Sequence, residues 1–67
     1  MDLKKAITLG DVVADRLTGF QGTVITKVEY LSGRIRFEVQ PKALHDGSPV
    51  EAEWIDEGRL TSLTSPL

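Results

Sequence analysis

The chain of 67 residues contains no cysteine, one histidine, three prolines and four aromatic side chains. Without cysteine there is no disulfide and no thiolate metal site to hold a small fold together, and the composition fits a reducing compartment. The single His45 stands in a polar stretch beside Asp46, short of the three or four protein ligands a metal site takes; it reads as a solvated loop residue. No apolar run approaches the ~20 residues that cross a bilayer. The start, Met1-Asp2-Leu3-Lys4-Lys5-Ala6-Ile7-Thr8, lacks the apolar region of a signal peptide. The expected location is therefore cytoplasmic, with no membrane partner. Basic residues are not in excess either: eight Lys and Arg face ten Asp and Glu, for a net charge of −2. A broad phosphate-binding surface needs clustered Lys and Arg, so nucleic acid is a disfavoured partner. No cofactor-binding motif is present: Gly19-Phe20-Gln21-Gly22 lacks the length and the following Lys of a phosphate-cradling loop.

What is present is short strands and glycine punctuation. One domain over residues 1–67 is the most this length holds, with 1–8 and 64–67 expected to be flexible and Met1 to Leu9 open to an alternative reading as an edge segment. Gly10-Asp11 marks a turn, with Asp11 accepting its hydrogen bonds. Val12 to Asp15 reads as a strand, and Arg16 to Gly22 as a loop in which Phe20 plugs one end of the core. Thr23 to Tyr30 is the strongest strand; Val24, Thr26, Val28 and Tyr30 share one face by alternation and Ile25 lies on the other. Leu31-Ser32-Gly33 makes a hairpin loop. In Arg34 to Gln40, Ile35, Phe37 and Val39 point inward while Arg34 and Arg36 point out. Pro41 to Pro49 is a long loop. Val50 to Asp56 resumes strand character, with Ala52 and Trp54 on the core face and Glu51, Glu53 and Ile55 opposite, where the two glutamates could pair with Arg34 and Arg36. Glu57-Gly58-Arg59 is a tight turn before a last strand, Leu60 to Leu63. Five short strands without a convincing helix make an all-β fold, and closure into a small barrel limits exposed edges.

The pattern Gly10-Asp11-x-Val13 followed by Gly19-x-x-Gly22-x-Val24 resembles the opening of SH3-like barrels of the KOW type, over Gly10 to about Val28. That resemblance implies a five-stranded SH3-like barrel, with nucleic-acid binding as one family activity; the acidic balance departs from the basic RNA-binding members. The whole chain, including Trp54-Ile55-Asp56-Glu57 and Leu60, is similar to small SH3-like proteins of phages, prophages and mobile elements. Length and the Gly-Asp-x-Val opening also resemble the plasmid-borne type II dihydrofolate reductases, tetramers built around a central pore. The stretch Glu51-Ala52-Glu53-Trp54-Ile55-Asp56 departs from their pore-lining Val-Gln-Ile-Tyr run.

Three functions follow as expectations. The leading one is a non-catalytic module for protein–protein interaction that also associates with itself. The alternatives are an oligomeric enzyme with its site at subunit junctions and a KOW-like nucleic-acid binder using Lys27, Arg34, Arg36 and Lys42. The candidate binding residues are Phe20, Tyr30, Trp54, Arg34 and Arg36, because aromatics and arginine concentrate at binding sites. The candidate homo-oligomer contact is Val12, Ile25 and Ile55, which alternation sets outside the core set; contiguous apolar patches mark interfaces. No carboxylate pairs with a nucleophile at a recognisable spacing, and no catalytic, cofactor or metal residue is assigned.

Overall fold

The computed structural model describes residues 6–42, 44, 45 and 47–63, without the side chains of residues 44, 45, 48 and 49. The expectations for residues 1–5 and 64–67 and for the side chain of His45 therefore lie outside the described residues. The chain is all-β, with strands β1 (Val12–Asp15), β2 (Gln21–Glu29), β3 (Ile35–Gln40), β4 (Leu44–His45), β5 (Ser48–Pro49), β6 (Glu53–Asp56) and β7 (Leu60–Ser62). One 3-10 turn, Glu57–Arg59, joins β6 to β7. Five strands form an antiparallel sheet in the order β6-β3-β2-β1-β7, while β4 and β5 make a separate two-stranded ladder. The stretch expected to be one long loop, Pro41 to Pro49, thus carries its own short ladder. No helix among the described residues is long and apolar enough to cross a membrane.

The sheet is not closed. Its two ends, β6 and β7, do not pair with each other and meet only through the 3-10 turn. The 3-10 turn instead carries the chain from β6, paired with β3, to β7, which pairs with β1.

The core consists of Ile7, Val13, Val24, Phe37, Val39, Ile55 and Leu60, with Phe20 and Ile35 packed against it. Ile7, from the ambiguous N-terminal lead-in, is therefore a core residue. The Gly10-Asp11 turn ties that lead-in to β2: Gly10 N–H donates to Val24 O at 2.8 Å and Val24 N–H to Asp11 O at 2.9 Å. The Asp11 carboxylate accepts from Thr8 N–H at 2.9 Å, as a turn aspartate does.

Two face assignments differ from the expectation. In β2 the register slips between Val24 and Thr26: Val24 pairs with Val39, but Thr26 pairs with Glu38. Ile25 is the extra residue of a β-bulge, which breaks strict alternation. Residues opposite one another in a ladder share a face, so Val24 stays inside and Thr26 and Val28 move to the outer face. The Thr26 hydroxyl there donates to Glu38 Oε1 at 2.8 Å. In β6 the faces are reversed. Ile55 pairs with Phe37 and is only 4% exposed, whereas Trp54 pairs with Glu38 and is 41% exposed. Ile55 is thus a core residue rather than part of an outward patch, and Trp54 is not in the core. The expectation counted alternation from Val50, but the strand begins at Glu53, and its faces are set by the ladder to β3.

Candidate functional site

The outer face of β2, β3 and β6 carries most of the expected binding residues. Register places Glu38 and Trp54 in one row, Val28, Arg36 and Asp56 in the next, and Arg34 beyond them. Tyr30 N–H donates to Arg34 O at 2.8 Å, which sets Tyr30 opposite Arg34 at the hairpin. Tyr30 is 43% exposed. It occupies one corner of the face and Trp54 the opposite corner, two strands and four residues apart, or ~16 Å by strand geometry. The pair therefore brackets an extended surface rather than one small-molecule site.

Between them lies a charge network. Arg34 grips Asp56 with Nη2 at 2.9 Å from Oδ2 and 3.1 Å from Oδ1, and with Nε at 3.3 Å from Oδ1. Arg36 Nε is 3.3 Å from the same Oδ1 as an ion pair, but it is buried without an aligned hydrogen bond. Arg36 Nη2 donates to the Trp54 carbonyl at 3.3 Å. The hydrogen bonds from Arg34, then the charges of Arg34, Arg36 and Arg59, lower the Asp56 pKa against the opposing effect of burial. Reciprocally, Asp56 raises the pKa of Arg34. The cross-strand partner of both arginines is thus Asp56. Glu53 faces Val39 and Glu51 precedes the strand, so neither glutamate is their partner.

Phe20 lies elsewhere. It is half-buried against the core and, with Asp15, Thr18, Gly19, Glu53, Trp54, Ile55 and Arg59, lines a groove of about 470 Å³. One bank of this groove is the turn after β1, and sequence reasoning missed what holds it. Asp15, assigned only as the end of a strand, is 2% exposed. Its register partner is the core residue Leu60, which drives the carboxylate inward. Burying a charge is tolerated only with pairing and hydrogen bonds. Asp15 has both: Arg59 donates to it from Nε at 3.3 Å and from Nη2, Leu17 N–H at 2.9 Å and Thr18 Oγ1 at 2.9 Å. The Arg59 hydrogen bonds outweigh desolvation and hold the Asp15 pKa at about 2. The same turn is closed by Asp15 N–H to Phe20 O and Gly19 N–H to Asp15 O, each 2.8 Å, with Gly19 at φ +81°. The available signal was an Asp followed three residues later by Thr and then Gly, an ordinary turn pattern; nothing local pointed to Arg59.

Val12 and Ile25 are 38% and 47% exposed. Val12 and Thr23, its partner on β2, line a second, smaller hollow with Gln21, Gly22, Pro41 and Lys42. Among the described residues, no three His, Asp or Glu side chains cluster as metal ligands. Comparison of the chain with protein-family models, curated proteins and solved structures found no match.

Proposed function

We propose that this chain is a non-catalytic protein-binding module of the SH3-like kind, which engages a polypeptide partner on the side of the sheet that carries β6. The observation that carries this reading is the position of Trp54. It stands exposed on an edge strand, with the Arg34–Asp56–Arg36 network and Tyr30 on one side and the Phe20 groove on the other. Trp, Tyr and Arg are the residue types that dominate binding energy at protein interfaces, and Lys is depleted there. The SH3-like assignment is supported by a five-stranded antiparallel sheet whose first strand lies between the second and the last. A phage or mobile-element source belongs to the same proposal and rests on the sequence resemblance alone. The test is affinity capture from host lysate with quantitative mass spectrometry, using wild type, Trp54→Ala and Tyr30→Ala. A protein held by wild type and lost by both variants supports the reading; identical capture profiles for all three overturn it.

Self-association is a second reading, favoured by the exposure of Val12 and Ile25. Burying one isoleucine contributes ~1.5–3 kcal/mol, large beside the ~3–5 kcal/mol that a single core of this size supplies. Ile25→Lys, with the fold intact by circular dichroism, is expected to lower the mass in analytical ultracentrifugation. A strict monomer at tens of micromolar for both proteins rules the reading out.

A further inference from the structure

We propose that β6 accepts an extended segment of a partner protein as an added strand, with a basic side chain of that segment set against Glu53. The inference rests on the reading of the β6 side as a polypeptide-binding surface and names how the polypeptide binds.

Three observations converge. The first is topological: β6 ends the sheet, and among the described residues its only ladder is with β3. A strand in that position presents a row of backbone donors and acceptors to an incoming chain. The second is the shape of the groove. Glu53, Trp54 and Ile55 are consecutive, and all three line it. Successive residues of a strand point to opposite faces, so a groove that reaches all three runs along the edge of β6, not over either face. Its far bank is the turn through Thr18, Gly19 and Phe20, which the buried Asp15 holds in place. The groove is the seam left by the open sheet. At about 470 Å³ it falls within the ~300–1,000 Å³ range of ligand sites. Strand addition is an established mode of peptide recognition, in which main-chain bonds supply affinity and alternate side-chain pockets supply specificity.

The third observation is charge. Of the ionised groups lining the seam, Asp15 and Arg59 neutralise each other. Glu53 is exposed, and among the described residues no hydrogen bond or ion pair engages its carboxylate. Glu51 and Glu57 flank it along the chain, and both are exposed. Among the described residues Arg16 is a further cation near this edge; it does not line the groove, and its guanidinium donates to the neutral Gly58 carbonyl, so three exposed glutamates stand against one cation. The other β6 carboxylate, Asp56, is already held by Arg34 and Arg36. The unmatched charge at the open edge is therefore negative, and its complement is a Lys or Arg side chain. The phenyl ring of Phe20 and the core residue Ile55 supply apolar floor beside it.

The experiment pans a displayed library of random decapeptides on the full chain. Winning peptides are remade and measured against wild type, Glu53→Gln, Glu53→Lys and Tyr30→Ala, each checked for fold by circular dichroism. The expected result is enrichment of Lys or Arg at one peptide position. Affinity is expected to fall at least fivefold in Glu53→Gln and further in Glu53→Lys. N-methylation of the peptide backbone at alternate residues is expected to cost at least tenfold, while the intervening residues tolerate it. Peptides that bind Glu53→Gln as well as wild type, or tolerate N-methylation everywhere, overturn strand addition. If those same peptides lose binding in Tyr30→Ala, the outer-face reading survives without it. If no peptide is selected, strand addition is overturned while the protein capture experiment still judges the broader reading. If Glu53→Lys instead changes the sedimentation mass of the protein alone, the occupant of the edge is a second copy, and the partner segment proposed here is wrong.

Discussion

Gly22 is the position where one added methyl should do most damage. A Cβ built on it meets Gln40 O at 2.5 Å, Gln40 C at 2.7 Å and Pro41 N at 2.9 Å. To reach even 3.0 Å, below which real Cβ atoms essentially never come, the Gln40 carbonyl would have to retreat by 0.5 Å. It is poorly placed to do so. Gln40 pairs with Thr23 in the β2–β3 ladder, and its side-chain Nε2 donates to Val50 O at 2.8 Å. All three contacts are backbone, so no side chain can swing aside. Such overpacking costs ~1–3 kcal/mol. Gly22 is not in the left-handed region, so Gly22→Ala also gains ~0.4–1 kcal/mol by restricting the unfolded chain. The net expectation is a loss of ~1–2 kcal/mol, and each kcal/mol lowers Tm by ~4–8 °C in a domain of this size.

Gly58 provides the control. It has nothing within 4 Å of its added Cβ and no positive φ, so Gly58→Ala carries the same unfolded-state gain without the clash. Thermal melts followed by far-ultraviolet circular dichroism and by the fluorescence of Trp54, the chain's single tryptophan, measure both variants. Gly22→Ala should melt ~5–15 °C below wild type, and Gly58→Ala at or above it. A Gly22→Ala protein within ~2 °C of wild type, on that scale, would refute the reasoning, because it would mean that the ladder yields at Gln40. Gly22→Val, which adds bulk toward the same carbonyl, should lose the cooperative transition altogether.

Other outcomes follow from the same structure. In the monomer, Ile55→Ala should destabilise by ~2–5 kcal/mol as a core deletion, while Ile25→Ala stays within ~0.5 kcal/mol as a surface change; equal effects in urea titration at a concentration where the protein is monomeric would contradict the reversed face of β6. The folded Asp15 pKa, about 2, lies below its ordinary value of 3.8, so the unfolded chain binds the proton first as pH falls. Stability from this group is present above pH 4 and is lost as pH falls toward 2; melts of Asp15→Asn should show a shallower acid-side slope, the remainder coming from groups such as Asp56, and an unchanged slope would reject the assignment. With acidic groups in excess, no shift of RNA or duplex DNA is expected at physiological salt. Salt-sensitive micromolar binding that disappears in Arg34→Ala and Arg36→Ala would restore the nucleic-acid alternative.

How far the fold could be read from the sequence depended on how local its cause was. Turns were legible because one residue decides them: Gly33 takes φ +92° at the β2–β3 hairpin, and Asp11 accepts the turn bond at Thr8. The alternation of β3 was legible because β3 itself carries no extra residue; the slip in its ladder to β2 falls on Ile25 of β2. The faces of β6 were not, because its register comes from Phe37 and Glu38 rather than from its own residues. The slip at Ile25 was equally hidden, since an extra strand residue leaves the run Thr23 to Tyr30 looking regular. Residue type singled out Tyr30, Trp54, Arg34 and Arg36 as candidates, and the register sets them on one face of the sheet. Their joint carboxylate partner, Asp56, needed the cross-strand register, and the Asp15–Arg59 pair joins residues 44 positions apart.

That long-range pair also explains why the seam can persist as a groove. Native proteins often cover a sheet edge with a helix or loop. Here the turn from Arg16 to Phe20 is held from its own side. Asp15 binds Leu17 N–H and the Thr18 hydroxyl, while Arg16 N–H donates to Arg59 O at 2.8 Å. The anchor is Arg59, and it sits at the end of the 3-10 turn that leads out of β6. Both banks of the groove are thus tied to one ion pair, Asp15 on the turn side and Arg59 on the connection that follows β6. The arrangement costs the fold a buried carboxylate, and among the described residues no strand pairs with the open edge of β6, beside an exposed tryptophan whose carbonyl accepts from Arg36. Breaking the pair should therefore loosen the Phe20 bank before it disturbs the β2–β3 ladder, because among the described residues no hydrogen bond links the Asp15 cluster to that ladder.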